Sequence, residues 1–181
     1  MKKGALRRQE ILERLTDHVL AHGLQGASLR PLAAAAGTSD RMLLHYFADK
    51  DELLRETLTL VTKRLIDVLD AARGEPLPFD QLVPQLVLML DHARIRPYMR
   101  LWLELVAFAV GEQEPFGAIA RQIAQVLRTW IADALIVDQE SEREQIAALT
   151  LTLVEGFVML AMLEDRITPA AALQGIASLR R

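Results

Sequence analysis

Between residues 28 and 50 the chain gathers ten side chains suited to gripping another molecule's surface: Ser28, Arg30, Thr38, Ser39, Asp40, Arg41, Met42, His45, Tyr46 and Lys50. Most of them crowd into GTSDRMLLHYF at 37–47. No nucleophile stands beside a base at motif spacing, and no glycine-rich loop could cradle a phosphate. The chemistry on offer is recognition, not reaction. Ser28, His45, Tyr46 and Lys50 can donate to phosphate oxygens, and Arg30 can join them. Thr38, Asp40, Arg41 and Met42 are suited to base edges, where an arginine can make two parallel bonds to guanine.

Other chemistries are weaker here. Cysteine is absent, which removes disulfides, cysteine zinc sites, iron–sulfur clusters and thiol nucleophiles. His18 and His22 stand at i and i+4, a spacing that can hold one metal ion. H-V-L-A-H lacks the zincin glutamate and no third ligand is near, so they read as two surface histidines. Neither metal nor cofactor is expected. The opening MKKGALRRQEILERL has no apolar core of signal-peptide length. The stretch TLTLVEGFVMLAML is interrupted by Glu155 and bounded by Glu164 and Asp165, and reads as too short to span a bilayer. A cytoplasmic protein without membrane attachment is expected.

Charge is unevenly spread. Residues 1–50 hold eight Lys/Arg against five Asp/Glu, a balance of +3; residues 51–181 hold thirteen against nineteen, a balance of −6, consistent with the formal −3. A basic head on an acidic body suits a reader of nucleic acid that carries a separate body domain.

These side chains must be positioned by helices, because apolar residues recur at helical spacing and nowhere alternate. Ile11, Leu12, Leu15, Val19 and Leu20 make one stripe of a first helix that Gly23 can end. Ser28 can cap a second helix, LRPLAAAA, that stops at Gly37; Ser39 can cap a short third reaching Phe47. Asp49 and Glu52 open a long fourth helix to about Ala72. After the break GEPLP, helices are predicted over 81–94, 97–110, 115–137 and 142–163, the last opened by a capping box at Ser141–Glu144. Thr168 and Pro169 can start a final one. The expected fold is all-α: a three-helix helix-turn-helix domain over 1–49, then a helical bundle over 50–181. The alanine run 33–36 keeps the second helix thin, so the third can pack across it with its N-terminus free.

GTSDRMLLHYFADKDELL resembles the signature of the tetracycline-repressor (TetR) family, approximately A-G-V-S-x-G-x-L-Y-x-H-F followed by a charged turn and K-x-x-L. Ala36, Gly37, Thr38, Ser39, Leu43, His45, Tyr46, Phe47, Lys50 and Leu53 occupy the matching positions. Arg41 replaces the usual small residue and Leu44 the usual tyrosine, a backbone contact in the family. The resemblance implies a homodimeric regulator, most often a repressor, on a near-palindromic double-stranded DNA operator. It also implies a body domain whose ligand shifts the long fourth helix.

The candidate ligand residues are Leu65, Leu86, Met89, Met99, Trp102, Leu103, Glu104, Val106 and Phe157. So apolar a set favours a small hydrophobic effector, with Glu104 either a polar handle or paired to Arg100 one turn earlier. The 142–163 helix is apolar nearly all round and must bury two faces. A second copy could cover one of them, through Leu153, Phe157 and Leu160 with Ile119, Ile123, Val126 and Trp130. The rival reading is a helical small-molecule-binding or interaction protein of the same fold that has lost DNA binding, which Leu44 keeps open.

Overall fold

The structure, a computed structural model, describes residues 3–25, 27–165 and 167–178. In chain order its helices are α1 (Lys3–His22), α2 (Leu29–Ala35), α3 (Asp40–Tyr46), α4 (Lys50–Ala72), α5 (Phe79–Leu90), α6 (Arg96–Val110), α7 (Phe116–Ala134), α8 (Arg143–Met162) and α9 (Ile167–Ser178). The residues group into two compact units, Met1–Leu65 with Arg100–Ile123, and Ile66–Met99 with Ala124–Arg181. α4 starts at Lys50 and belongs to the first unit as far as Leu65.

The first unit is built on the stripe that the spacing predicts. Ile11, Leu15 and Val19 of α1 are buried with Leu32, Ala33 and Ala36 of the second segment, Leu43 and Phe47 of the third, and Leu53, Leu54 and Leu58 of α4. Two buried threonines of α4 satisfy themselves: Thr57 and Thr62 donate to the carbonyls of Leu53 and Leu58, 2.8 Å in each case. Gly23 ends α1 at φ +81°, a conformation that favours glycine, with its amide donating to Val19 O at 2.8 Å.

The second unit buries Leu82 and Leu86 of α5 against Trp130, Ile131 and Ala134 of α7, Leu135, and Ala147 of α8. Its details depart from sequence expectation in four places. α5 starts at Phe79 and keeps Pro84 inside, at the cost of one ladder hydrogen bond. α7 stops at Ala134, and two two-residue strands, β1 (Leu77–Pro78) and β2 (Leu135–Ile136), pair in parallel. Ser141 does not cap α8: Glu140–Glu142 winds into a 3-10 turn, and the cap position, Glu142, makes no side-chain bond. Arg143 does the joining there, donating to Ala132 O at 2.8 Å and Leu135 O at 2.7 Å while its other nitrogens hold Glu140. At α9 the cap is Asp165, not Thr168. The Asp165 carboxylate accepts from the Ile167 and Thr168 amides, and its bonds with Thr168 hold it below the usual carboxylate range.

Within Glu140–Met162 an 18-residue window of mean hydropathy 1.7 is long and apolar enough to cross a bilayer by length and composition alone, a test that the core helix of a soluble protein also passes. Glu155 does not interrupt it enough to fail that test.

Candidate nucleic-acid interface

The recognition element is held together by local chemistry. Ala36 ends α2, and Gly37 makes the turn at φ +66° with its amide donating to Ala34 O at 3.0 Å. Thr38 N–H then donates to Ala33 O at 2.9 Å, so the turn is fully bonded before α3 begins. Ser39 caps α3 as expected, its hydroxyl oxygen accepting from Met42 N–H at 3.3 Å. Asp40 occupies the first turn, where a negative charge suits the helix dipole. Ser28 sits at the N-cap of α2 with extended backbone, but its side chain makes no capping bond.

None of the ten residues singled out from the sequence is buried: Thr38, Tyr46 and Lys50 are half-buried, and the other seven are exposed. They come from α2, the Gly37 turn, α3 and the first residue of α4. Among the described residues Arg30, Arg41 and Lys50 form no ion pair. His45 meets Tyr46 edge to face, with ring centroids 5.2 Å apart. At the start of α4, Asp49 accepts from the Glu52 amide at 2.7 Å, and the Glu52 carboxylate reaches the Ala48 amide. Met42 and Leu44 are 40% and 45% exposed, so α3 also presents apolar surface. Beyond replacing the family's tyrosine, Leu44 is exposed on α3, where an apolar side chain can pack on the methyl group of thymine.

Two arginines that sequence reasoning missed hold this element from α1. Arg14 donates to Ala36 O at 3.1 Å, and Arg8 to Tyr46 O at 3.2 Å. One signal was present for Arg8: it lies in line with Ile11, Leu12 and Leu15, a cation at the head of an apolar stripe.

The expected ligand set falls partly in each unit. Leu65, Trp102, Leu103, Glu104 and Val106 belong to the first, and Leu86, Met89, Met99 and Phe157 to the second. Within the second unit, Met89 lines a cavity of about 340 Å³ with Val68, Ala71, Ala72, Leu88 and Ile95 among its neighbours. Phe157 lines a different one, of about 390 Å³, whose rim carries Asp91, Glu164 and Asp165. Glu104 lines neither. Its carboxylate accepts from Leu24 N–H at 2.7 Å and lies 3.9 Å from Arg100, the pairing alternative considered for it. Arg100 in turn donates to Leu20 O and Ala21 O at 2.8 and 2.9 Å, so α6 holds the last turn of α1 by both charges.

Of the stripe expected to meet a second copy, Ile119, Trp130 and Phe157 are buried inside the chain's own units. Ile123, Leu153 and Leu160 are half-buried and Val126 is exposed. The His18 and His22 rings stack at 4.5 Å, and burial, with His22 beside it, pushes the His18 imidazole below its ordinary value.

Helix, glycine turn and a capped seven-residue helix that exposes Arg41, Met42, Leu44 and His45 form the helix-turn-helix of a DNA-binding regulator. The model of the family described as "Bacterial regulatory proteins, tetR family" matches residues 16–57. The chain is 31% identical over 164 residues to the HTH-type transcriptional regulator PksA of Bacillus subtilis (strain 168), covering 87% of this chain and 80% of that protein. It is 26% identical over 167 residues to the regulator BetI of Cronobacter sakazakii, covering 89% and 82%. A crystal structure of a TetR-family regulator from Rhodococcus sp. shares the fold at TM-score 0.71 and 22% identity, covering 96% of both chains. The chain belongs to the TetR family of bacterial transcriptional regulators.

Proposed function

We propose that this regulator is a repressor that binds a near-palindromic operator as a homodimer in the cytoplasm and is released by a small hydrophobic effector. The observation that carries the reading is the exposed face of α3, with Arg41 and His45 beside Met42 and Leu44. Arg41→Ala should relax preference at particular base pairs, by about 1–3 kcal/mol for a bidentate guanine contact. Lys50→Ala should weaken binding to all duplexes alike and flatten the salt dependence, as loss of a phosphate contact does. Uniform loss in both variants, measured by titration against matched and unrelated duplexes, would remove Arg41 from the readers.

The homodimer is supported by apolar surface left open on α8 and its end. Leu149, Met159 and Leu163 keep 50%, 52% and 71% of their area exposed. An apolar face of that kind is stabilised by a second copy. Light scattering should give twice the 20.3 kDa chain mass, and Leu149→Arg with Met159→Arg should give monomer. A dimer unchanged by both substitutions would move the interface elsewhere. Phe157, a candidate from the sequence, is a poor probe of this because its own chain already buries it.

Repression follows the family's usual mode. For the effector, the cavity beside Met89 offers mostly apolar walls, which select by shape and burial at roughly 25 cal/mol per Å². A lipophilic compound that binds there should raise the melting temperature of the free protein and release DNA. A screen in which only polar metabolites shifted the melting curve would rule this effector class out.

A further inference from the structure

Arg8 is engaged by other parts of its own domain, with its side chain about one-third exposed. It stands at the head of the apolar stripe of α1, yet its guanidinium makes three polar contacts and one ring contact. Its Nε donates to Tyr46 O at 3.2 Å, at the last residue of α3. Its Nη2 holds Glu52 at 3.3 Å and also Glu56, one turn further along α4. Its Cζ lies 4.6 Å from the centre of the Phe47 ring, over the residue that ends α3. Farther along α1, Arg14 donates to Ala36 O at the entrance to the turn, and Gly37 leaves it room: a Cβ there would sit 2.5 Å from the Arg14 guanidinium.

α3 has seven residues, too few for a helix to hold its own shape in water. Arg14 holds Ala36, where α2 ends ahead of the turn into α3, and Arg8 holds Tyr46, the last residue of α3. We infer that Arg8 and Arg14 are positioning residues for base reading, fixing the orientation of α3 without themselves contacting DNA.

The two components of DNA affinity respond differently to such a grip. Attraction to phosphate depends on charge and tolerates small errors in helix pitch. Hydrogen bonds to base edges weaken steeply as they leave line. A loosened α3 therefore loses discrimination while keeping its general attraction to DNA. Lysine at position 8 separates the cases, because it keeps the charge but not the planar fork that serves Tyr46, Glu52 and Glu56 together. Were Arg8 instead a phosphate ligand, lysine would largely replace it.

The test uses the full-length chain and two probes: a duplex selected by the wild-type protein from a random library, and an unrelated duplex of equal length. Arg8→Lys should lower affinity for the selected duplex on the order of ten-fold, the scale of one misaligned base contact, with unrelated-duplex affinity and salt slope unchanged. Retained affinity for the selected duplex overturns the inference, as does an equal loss on both probes. A lower melting temperature with an unchanged ratio between the probes would show a merely structural role and overturns it too. Should Arg8→Lys fail to fold, Glu56→Gln removes one anchor of the same guanidinium. It should produce a smaller loss confined to the selected duplex, and an unchanged ratio would again refute the assignment. The inference rests on α3 as the reading helix, which Arg41→Ala checks in the same assay. An Arg41 variant with unaltered discrimination would defeat that reading whatever Arg8 does.

Discussion

Gly23→Ala should destabilise the protein by about 3 kcal/mol, the sum of left-handed backbone strain and a lost charged hydrogen bond. The backbone at Gly23 has φ +81°, and an added Cβ would overlap the Glu104 carboxylate that accepts from Leu24. The carboxylate can swing away, but only by giving up the Leu24 amide at the end of α1. For a chain of this length the melting temperature should fall by roughly 10 °C. The double variant Gly23→Ala/Glu104→Ala supplies the control. With the carboxylate gone, the alanine should add only the backbone strain, about 1–2 kcal/mol. Equal costs of Gly23→Ala in the two backgrounds would show that Glu104 does not sit on this turn.

Trp130→Ala should cost about 3–5 kcal/mol, the usual loss for an aromatic side chain removed from a core. Trp130 is buried among Leu82, Leu86 and Ile131, its indole N–H donates to Asp70 at 2.8 Å, and Arg73 lies over its ring at 5.4 Å. Trp130→Phe keeps most of the packing and loses the hydrogen bond, for roughly 1 kcal/mol. Both losses should be independent of protein concentration, because every contact named lies within one chain. Destabilisation seen only in dilute protein would instead place Trp130 at a subunit contact.

Trp130 also shows where sequence reading stops. The stripe Ile119, Ile123, Val126 and Trp130 says that one face of α7 is covered, since helical periodicity reports burial. It does not say by what, and the chain's own α5 and α8 segments cover Trp130. Glu104 is similar: its partner Leu24 lies eighty residues away, joined by nothing in local pattern. The paired strands at Leu77–Pro78 and Leu135–Ile136, and the reach of Arg143 to Ala132, are likewise products of tertiary meeting.

What could be read early was local. Ser39 reaches Met42, Asp49 reaches Glu52, and Gly23 and Gly37 turn the chain, all within four residues, where backbone geometry nearly dictates the side chain. The helix-turn-helix consists almost wholly of such short-range devices, so its candidate contacts were accessible from sequence. The cavities beside Met89 and Phe157 were not, because a cavity is defined by what several distant segments leave unfilled. Ser141–Glu144 does not form its capping box for a related reason: Glu140–Glu142 winds into a 3-10 turn and Arg143 holds Glu140.

The exposed face of α3 is the surface that should read double-stranded DNA. Its most direct test is titration of the wild-type chain against library-selected and unrelated duplexes between about 50 and 200 mM salt. The selected duplex should bind at least about 10³-fold more tightly, with log affinity falling linearly in log salt for both. Failure of selection to yield any duplex preferred over unrelated DNA, or no retention on DNA even at the lowest salt, would contradict it.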